Sequence, residues 1–285
     1  MFKEFAVEPD AITGSYRDFA YVVEKFGVPE GRWISRFPKT WKALVYESAK
    51  AKLGGTKELT KIEERLRRIG DQILLASGRF PTDNKALWIE SAVAEHKLRP
   101  FDAIVATLGR DDPNVVALAD LDGDHPCLAP NRQWTVARTA QHMAACCMPL
   151  LVSSRHIKLV DPHFDLTALR FRRPLAEFLA GLRPGATVDL FRGDNLPPAF
   201  AIQQFGERLT GIHPKGVRVR LFLRPQAPMH NRFVLTERGG LTFLTGLDDA
   251  NGGPKTHDEV IVLEGENWDS QWLLYSGDDA VHVWT

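Results

Sequence analysis

The sequence predicts an α/β protein in which a mainly α-helical N-terminal domain, residues 1–133, precedes a domain with a mixed sheet flanked by helices, residues 134–285. Two observations support this prediction. In the first part, charged residues separate apolar residues at helical spacing. From about Arg155 onward, segments typical of strands alternate with segments typical of helices, which predicts a largely parallel sheet covered on both faces. No motif in residues 1–133 indicates a role for the first domain.

Three segments of the first domain have the pattern of amphipathic helices: YRDFAYVVEKF, TWKALVYESAKAKL and KELTKIEERLRRIGDQILLAS. The third carries one apolar stripe from Leu59 to Ile73, which predicts a helix that continues to about Ser77. The segments LRPFDAIVATLG and DPNVVALADLDG predict short strands or buried connections, because turn-rich residues flank both. A further helix is predicted from about Trp134 to Ser153.

In the second domain, the segments HIKLVDPHF, ATVDLF and VRVRLFL predict strands. The segments TALRFRRPLAEFLAGL and PAFAIQQFGERLTGI between them predict helices. A hairpin and the strand EVIVL follow. Folds of this type carry ligands where the strands reach their carboxyl ends, so we expect the functional residues to converge at that edge.

Composition excludes several classes of protein. The 36 basic residues balance 36 acidic ones, so no overall field attracts the chain to nucleic acid or to an anionic membrane. The sequence has no long apolar run, and a cytoplasmic location is the expectation. Three cysteines, Cys127, Cys146 and Cys147, are too few and too unevenly spaced for a disulfide framework. We expect reduced structural cysteines, no metal and no cofactor.

The stretch MHNRFVLTERGGLTFLTGLDDANGG predicts a hairpin with polar residues at its open end. Residues two apart on a strand share a face, so His230 and Arg232 point the same way. The returning strand brings Asp248, Asp249 and Asn251 back near the level of His230. A histidine, a cation and carboxylates therefore share one small region.

The strand before this hairpin adds positive charge. Arg218, Arg220 and Arg224 have the same parity in VRVRLFLR, and the apolar residues have the other. A basic face is therefore predicted locally, although the total charge of the chain is zero.

The segment H-N-R-F-V-L-T-E resembles the H-x-K-x4-D motif of the phospholipase D superfamily, with His230 at the histidine, Arg232 at the lysine and Glu237 at the aspartate. The following TGLDD lies near the place of that family's G-S-x-N segment, with Leu247 where serine is expected. Glu259 resembles the acidic residue that follows in many members. The resemblance covers about Arg155 to Thr285. The same region is also similar to the phospholipase D-like C-terminal domain of MIT-domain proteins, which is associated with membrane binding.

The resemblance implies a metal-independent phosphodiesterase, and in particular a nuclease active in microbial defence or repair. His230 would attack phosphorus to form a phosphohistidine, Arg232 would neutralise the phosphoryl oxygens, and Glu237 would orient the imidazole. The family mechanism uses two histidines and this chain has one motif, which predicts a homodimer with the two His230 side chains facing each other. The expected substrate-binding residues are Arg218, Arg220, Arg224, Asp249, Asn251 and Glu259.

Other interpretations stay open at this stage. The same lobe could be a catalytically inactive dimeric module that binds nucleic acid, anionic lipid or a protein partner, and a partner could also use the N-terminal domain. A membrane is the less favoured partner, because no amphipathic docking segment stands out. His230 and Arg232 could simply be polar residues at a strand end. The segment DPHFD contains metal-ligand types, although a polar rim explains it more easily. The spacing of His156 and Lys158 matches the motif, but position 163 is a histidine, so we interpret this segment as the first strand of the sheet.

Overall fold

A computed structural model describes residues 1–83 and 86–285 of the chain. The chain divides into two compact units, Met1–Asn131 and Arg132–Thr285. Each unit contains its own sheet with flanking helices, so the predicted α/β class is confirmed. The second unit begins at Arg132, close to the predicted start at residue 134. Among the described residues, no helix is both long enough and apolar enough to cross a membrane.

A five-stranded parallel sheet forms the centre of the first unit, with the strand order β3-β2-β1-β4-β5. The strands are β1 (Lys3–Val7), β2 (Arg32–Ser35), β3 (Leu74–Leu75), β4 (Ala103–Ala106) and β5 (Val115–Ala117). The helices are α1 (Tyr16–Glu24), α2 (Trp41–Leu53), α3 (Lys57–Arg68) and α4 (Trp88–Leu98). The first three helices share a core with Phe5 and Val7, whereas α4 packs with Ala6 and Ile104. Helices therefore cover both faces of this sheet.

The first unit contains more helix than strand, but the first three strands of its sheet were not predicted from the sequence. The strands β1, β2 and β3 are short and largely buried on both faces, so their sequences lack the alternation that marks a half-exposed strand. The predicted third helix also ends earlier than expected: Ile69 adopts an extended conformation, and Leu74 then enters β3. The two segments expected as strands or connections are the strands β4 and β5.

An eight-stranded mixed sheet forms the second unit, with the strand order β13-β9-β8-β7-β10-β11-β12-β6. The strands are β6 (Gln133–Ala137), β7 (His156–Val160), β8 (Thr187–Gly193), β9 (Arg218–Arg224), β10 (Arg232–Thr236), β11 (Gly239–Phe243), β12 (His257–Val262) and β13 (His282–Trp284). The helices are α5 (Ala140–Ser153), α6 (Leu169–Ala180), α7 (Pro198–Leu209) and α8 (Gly265–Leu274).

The helix predicted from Trp134 to Ser153 is a strand followed by a helix. Residues of β6 alternate between exposed and buried from Gln133 to Val136, which is the period of a strand rather than a helix. The helix α5 begins only at Ala140, after Thr139 caps it by accepting the backbone N–H of His142.

Strand direction determines which residues meet at the edge of this sheet. The strands β7, β8 and β9 are parallel, and β10 pairs antiparallel with β7, with Phe233 opposite Val160. The start of β10 therefore lies at the edge where β7, β8 and β9 end, which we call the carboxyl edge. The end of β11 and the start of β12 reach the same edge, because each of these strands is antiparallel to its neighbour.

An aromatic core under α8 holds the hairpin in place. Phe233 and Leu235 of β10 pack with Phe191, Phe222 and other buried residues of this face. The indole Nε1 of Trp268 in α8 also donates to the carbonyl of Thr236 over 2.9 Å. These contacts attach β10 to α8.

Candidate functional site

His230 lies at the carboxyl edge, two residues before β10 begins. Its side chain is exposed and forms no hydrogen bond or ion pair with any described residue. The carbonyl oxygen of the same residue accepts a hydrogen bond of 2.8 Å from Nη1 of Arg232. The structure therefore places the imidazole in solvent with its ring nitrogens unused.

Arg232 is half-buried beside it and has spare hydrogen-bonding capacity. Its Nε is buried and has no acceptor, and the guanidinium forms no ion pair within the described parts of the chain. Five other arginines of this unit pair with an aspartate instead, namely Arg138, Arg170, Arg173, Arg220 and Arg224. Arg232 thus forms no ion pair with a described carboxylate, and it lies beside the residue that carries the unbonded imidazole.

Asp161 follows β7 directly and therefore lies at the same carboxyl edge as His230 and Arg232. Its carboxylate is buried and accepts the backbone N–H of His163 over 2.8 Å and of Leu247 over 2.9 Å. Burial raises the pKa of Asp161, and the two hydrogen bonds and the charge of Arg232 act in the opposite direction. Asp161 therefore links the end of β7 to the loop that follows β11.

A second buried carboxylate, Asp258 at the start of β12, holds the same loop. It accepts the backbone N–H of Thr245 over 2.9 Å and that of Gly246 over 3.4 Å. These N–H groups, like that of Leu247, therefore have acceptors within the protein and are not free to bind a ligand. Sequence analysis missed Asp258 in this role, although its parity with Val260 and Val262 indicates that it faces inward.

Asp249 and Asn251 reach the carboxyl edge as the hairpin predicts, but both side chains accept hydrogen bonds from Arg173. Arg173 donates to both oxygens of Asp249 over 2.7 Å and to Oδ1 of Asn251 over 2.8 Å. Asn251 also has φ of +44°, which fits its place in a tight turn. The structure therefore gives these two residues a structural contact rather than a free ligand-binding group.

The expectation that Glu237 orients the imidazole of His230 is wrong. The five residues of β10 separate them, and a strand rises by about 3.3 Å per residue. Glu237 lies at the opposite edge, where its carboxylate accepts the backbone N–H of Arg155 over 2.7 Å and of His156 over 3.0 Å. It fixes the start of β7.

The predicted basic face is largely neutralised. Arg220 forms a two-bond ion pair with the buried Asp189, at 2.6 and 2.7 Å, and Arg224 pairs with Asp279 at 2.8 and 2.9 Å. Arg218 is exposed at the opposite end of β9, away from His230.

Glu259 points to the edge strand β6. It accepts hydrogen bonds from Thr135 over 2.7 Å and Gln133 over 3.1 Å, and these bonds lower its pKa. The structure does not bring Glu259 to the histidine.

The segment around His156 and Lys158 forms a separate polar cluster on the α8 side of the sheet. Lys158 is only 1% exposed, and its Nζ donates to the carbonyl of Trp272 and the hydroxyl of Ser276, both over 2.7 Å. Burial lowers the pKa of Lys158 to about 8. His156 lies 2.6 Å from Asp189. This lysine thus binds one carbonyl in the last turn of α8 and one hydroxyl just after the helix.

The segment DPHFD forms a polar turn at the carboxyl edge. Asp161 has the contacts given above, and Asp165 accepts hydrogen bonds from the backbone and hydroxyl of Thr167. His163 is exposed at the same edge as His230. Across the described residues, no group of three histidine, cysteine or acidic side chains is arranged to hold a metal ion.

These features define an α/β protein in which an imidazole and a guanidinium at the carboxyl edge of a mixed sheet form no ion pair with any described residue. No family model matches the chain, and no curated protein matches it in sequence. Among solved structures, the chain is similar to polyphosphate kinase from Porphyromonas gingivalis, with a TM-score of 0.30 and 10% sequence identity. The similarity covers 81% of this chain and 42% of the kinase, so the chain spans less than half of that protein's length.

Proposed function

We propose that the protein is a metal-independent phosphodiesterase of the phospholipase D type that acts on nucleic acid. The observation that carries the proposal is the exposed, unbonded imidazole of His230 beside the half-buried Arg232, which lacks an ion pair with any described carboxylate. A free imidazole is a nucleophile, and a guanidinium without a counter-ion attracts a phosphate.

In this proposal a ring nitrogen of His230 attacks phosphorus, and the bond between phosphorus and the leaving oxygen breaks. Arg232 neutralises the non-bridging oxygens while charge develops on them. The leaving oxygen takes a proton from a second histidine, and water then hydrolyses the phosphohistidine. His230 of a second copy supplies that histidine if the protein is a homodimer, as the single motif in the chain predicts.

The test is cleavage of labelled single-stranded and double-stranded DNA and RNA in the presence of EDTA. The proposal predicts cleavage by the wild-type protein and none by His230→Ala. The matched control is His282→Ala on the outer strand β13, which should retain activity. Equal cleavage by wild type and His230→Ala, or none by either, would contradict the proposal.

A second candidate is an inactive binding module for nucleic acid, anionic lipid or a protein partner. It is favoured by Glu237, which lies at the opposite edge and cannot orient the imidazole, and by the loop N–H groups that Asp161 and Asp258 occupy. This candidate predicts retention of nucleic acid or anionic vesicles that requires Arg232, weakens with salt and yields no product.

The cellular role and the protein partner are further parts of the proposed function. A cytoplasmic protein of this activity would suit microbial defence or repair, with the first unit binding a protein partner. Affinity purification of the full chain and of a variant lacking residues 1–131 would compare their bound proteins. Identical sets of bound proteins would contradict a partner role for the first unit.

A further inference from the structure

His163 is a second exposed histidine at the carboxyl edge, three residues after β7 ends. In the pairing of β7 with β10, Val160 lies opposite Phe233. The same register, continued three residues beyond this pair, reaches His163 on one side and His230 on the other. Both histidines therefore lie just beyond the same paired ends of β7 and β10.

The buried Asp161 holds the backbone of His163 close to Arg232. Its Oδ1 accepts the N–H of His163 over 2.8 Å, and its carbonyl accepts the N–H of Phe164 over 3.1 Å, which closes a turn around the histidine. Burial raises the pKa of Asp161 and the charge of Arg232 opposes this increase, so the guanidinium lies within electrostatic reach of the carboxylate. Arg232 in turn donates to the carbonyl of His230. One chain of contacts thus connects the backbones of the two histidines.

Gln226 makes a second connection, through the imidazole itself. Nδ1 of His163 lies 3.4 Å from Nε2 of Gln226. The N–H of Met229 donates to the carbonyl of Gln226 over 3.0 Å, and this turn ends directly before His230. A turn of this kind keeps its first and last Cα atoms within about 7 Å of each other. The ring of His163 is therefore attached to the segment that carries His230, and its Nε2 has no partner within the described chain.

The contact with Gln226 determines which ring nitrogen of His163 can exchange a proton. The side-chain amide of a glutamine presents a donor in one orientation and an acceptor after rotation by half a turn. With the oxygen of the amide facing Nδ1, the ring keeps its proton on Nδ1 and exchanges a proton only at Nε2. Because the side chain of His163 is exposed, Nε2 is accessible to a bound substrate.

We propose that His163 is the general acid and then the general base of the reaction that begins at His230, an inference that rests on the phosphodiesterase proposed above. Nε2 of the His163 imidazolium gives its proton to the leaving oxygen as the bond between phosphorus and that oxygen breaks. The neutral ring then takes a proton from water. The oxygen of that water bonds to phosphorus while the bond between phosphorus and His230 breaks. Both histidines then belong to one chain, so cleavage does not need His230 of a second copy.

Two substrates that differ in their leaving group test this role in the full chain. Labelled nucleic acid loses an alkoxide, which needs a proton, whereas the p-nitrophenyl ester of thymidine 5′-phosphate loses nitrophenolate, which does not. His163→Ala should cleave nucleic acid about 100-fold more slowly than the wild type. It should release nitrophenolate in the first turnover at nearly the wild-type rate, and then turn over slowly because the base for water is missing.

The matched control is His257→Ala, which should cleave both substrates as the wild type does. His257 is an exposed histidine that begins β12 at the same edge, but β11 separates its strand from β10. An equal loss of nucleic-acid cleavage in His257→Ala and His163→Ala would contradict a specific role for His163.

The outcomes separate this inference from the proposed function. Full cleavage of nucleic acid by His163→Ala, with none by His230→Ala, would overturn the role of His163 and leave the proposed function intact. Equal losses on both substrates in the first turnover would also overturn it, because nitrophenolate needs no acid. No cleavage of either substrate by the wild type would overturn the proposed function and this inference together. Co-expressed His163→Ala and His230→Ala chains should cleave no faster than His163→Ala alone, and restored cleavage would contradict the assignment of both histidines to one chain.

Discussion

Nη1 of Arg232 donates to the carbonyl oxygen of His230 over 2.8 Å. The backbone of His230 therefore helps to hold the guanidinium of Arg232 in place. The remaining donors of this guanidinium have no carboxylate partner within the described chain. This relationship distinguishes Arg232 from Arg220 and Arg224, whose charges are neutralised by aspartates.

Removing the charge of Arg232 should weaken nucleic-acid binding. We expect Arg232→Gln to lower the affinity for single-stranded nucleic acid about tenfold at low salt. The number of phosphate contacts inferred from the salt dependence of the binding constant should fall by about one. Fluorescence anisotropy over a series of salt concentrations measures both quantities. Arg208→Gln, an exposed arginine on α7, is the control and should bind as the wild type does. An unchanged salt dependence in Arg232→Gln would mean that this cation does not contact phosphate.

Glu237 should affect stability and not chemistry. Its carboxylate accepts two backbone N–H groups at the start of β7, so Glu237→Ala should lower the free energy of unfolding by about 1 kcal/mol. Urea unfolding measures this loss, and cleavage well below the unfolding temperature should be unchanged. Loss of cleavage by a fully folded Glu237→Ala protein would show that Glu237 takes part in catalysis.

Asp258 should contribute more to stability than its half-buried neighbour Glu259. Asp258→Ala leaves the N–H groups of Thr245 and Gly246 without an acceptor, and we expect a loss of about 2 to 3 kcal/mol. Glu259→Ala removes hydrogen bonds at the edge of the sheet and should cost less than Asp258→Ala. Chemical denaturation of the two variants gives the comparison. Equal losses would argue against Asp258 as the residue that holds the loop.

Burial of Lys158 should make the free energy of unfolding depend on pH in the alkaline range. Its pKa falls to about 8 in the folded protein from 10.5, so between these values the unfolded chain binds more protons than the folded one. The free energy of unfolding should therefore rise from pH 8 to pH 10.5 in the wild type relative to Lys158→Met. Denaturant unfolding of both proteins across this range measures the difference. A difference that stays constant with pH would contradict the lowered pKa.

The sequence predicted the second sheet better than the first for a physical reason. The strands β7, β8 and β9 alternate with long helical segments, whereas β1, β2 and β3 are two to five residues long and lack a polar face. The hairpin pattern predicted that His230 and Arg232 lie near the start of one strand, and the structure has β10 begin at Arg232. The hairpin pattern itself places Glu237 at the turn, away from His230, and the role of Glu237 beside the imidazole came only from the family resemblance. Partners across strands, such as Asp189 for Arg220, come from the register between strands that are distant in sequence.

The most direct test of the account is to trap the covalent intermediate. Wild-type protein is mixed with nucleic acid that carries a labelled internal phosphate, quenched during turnover and digested for mass spectrometry. The account predicts an acid-labile nucleotidyl group on the peptide that contains His230, and no such group in His230→Ala. Cleavage of the nucleic acid with the label on another residue, or with no labelled peptide at any quench time, would contradict it.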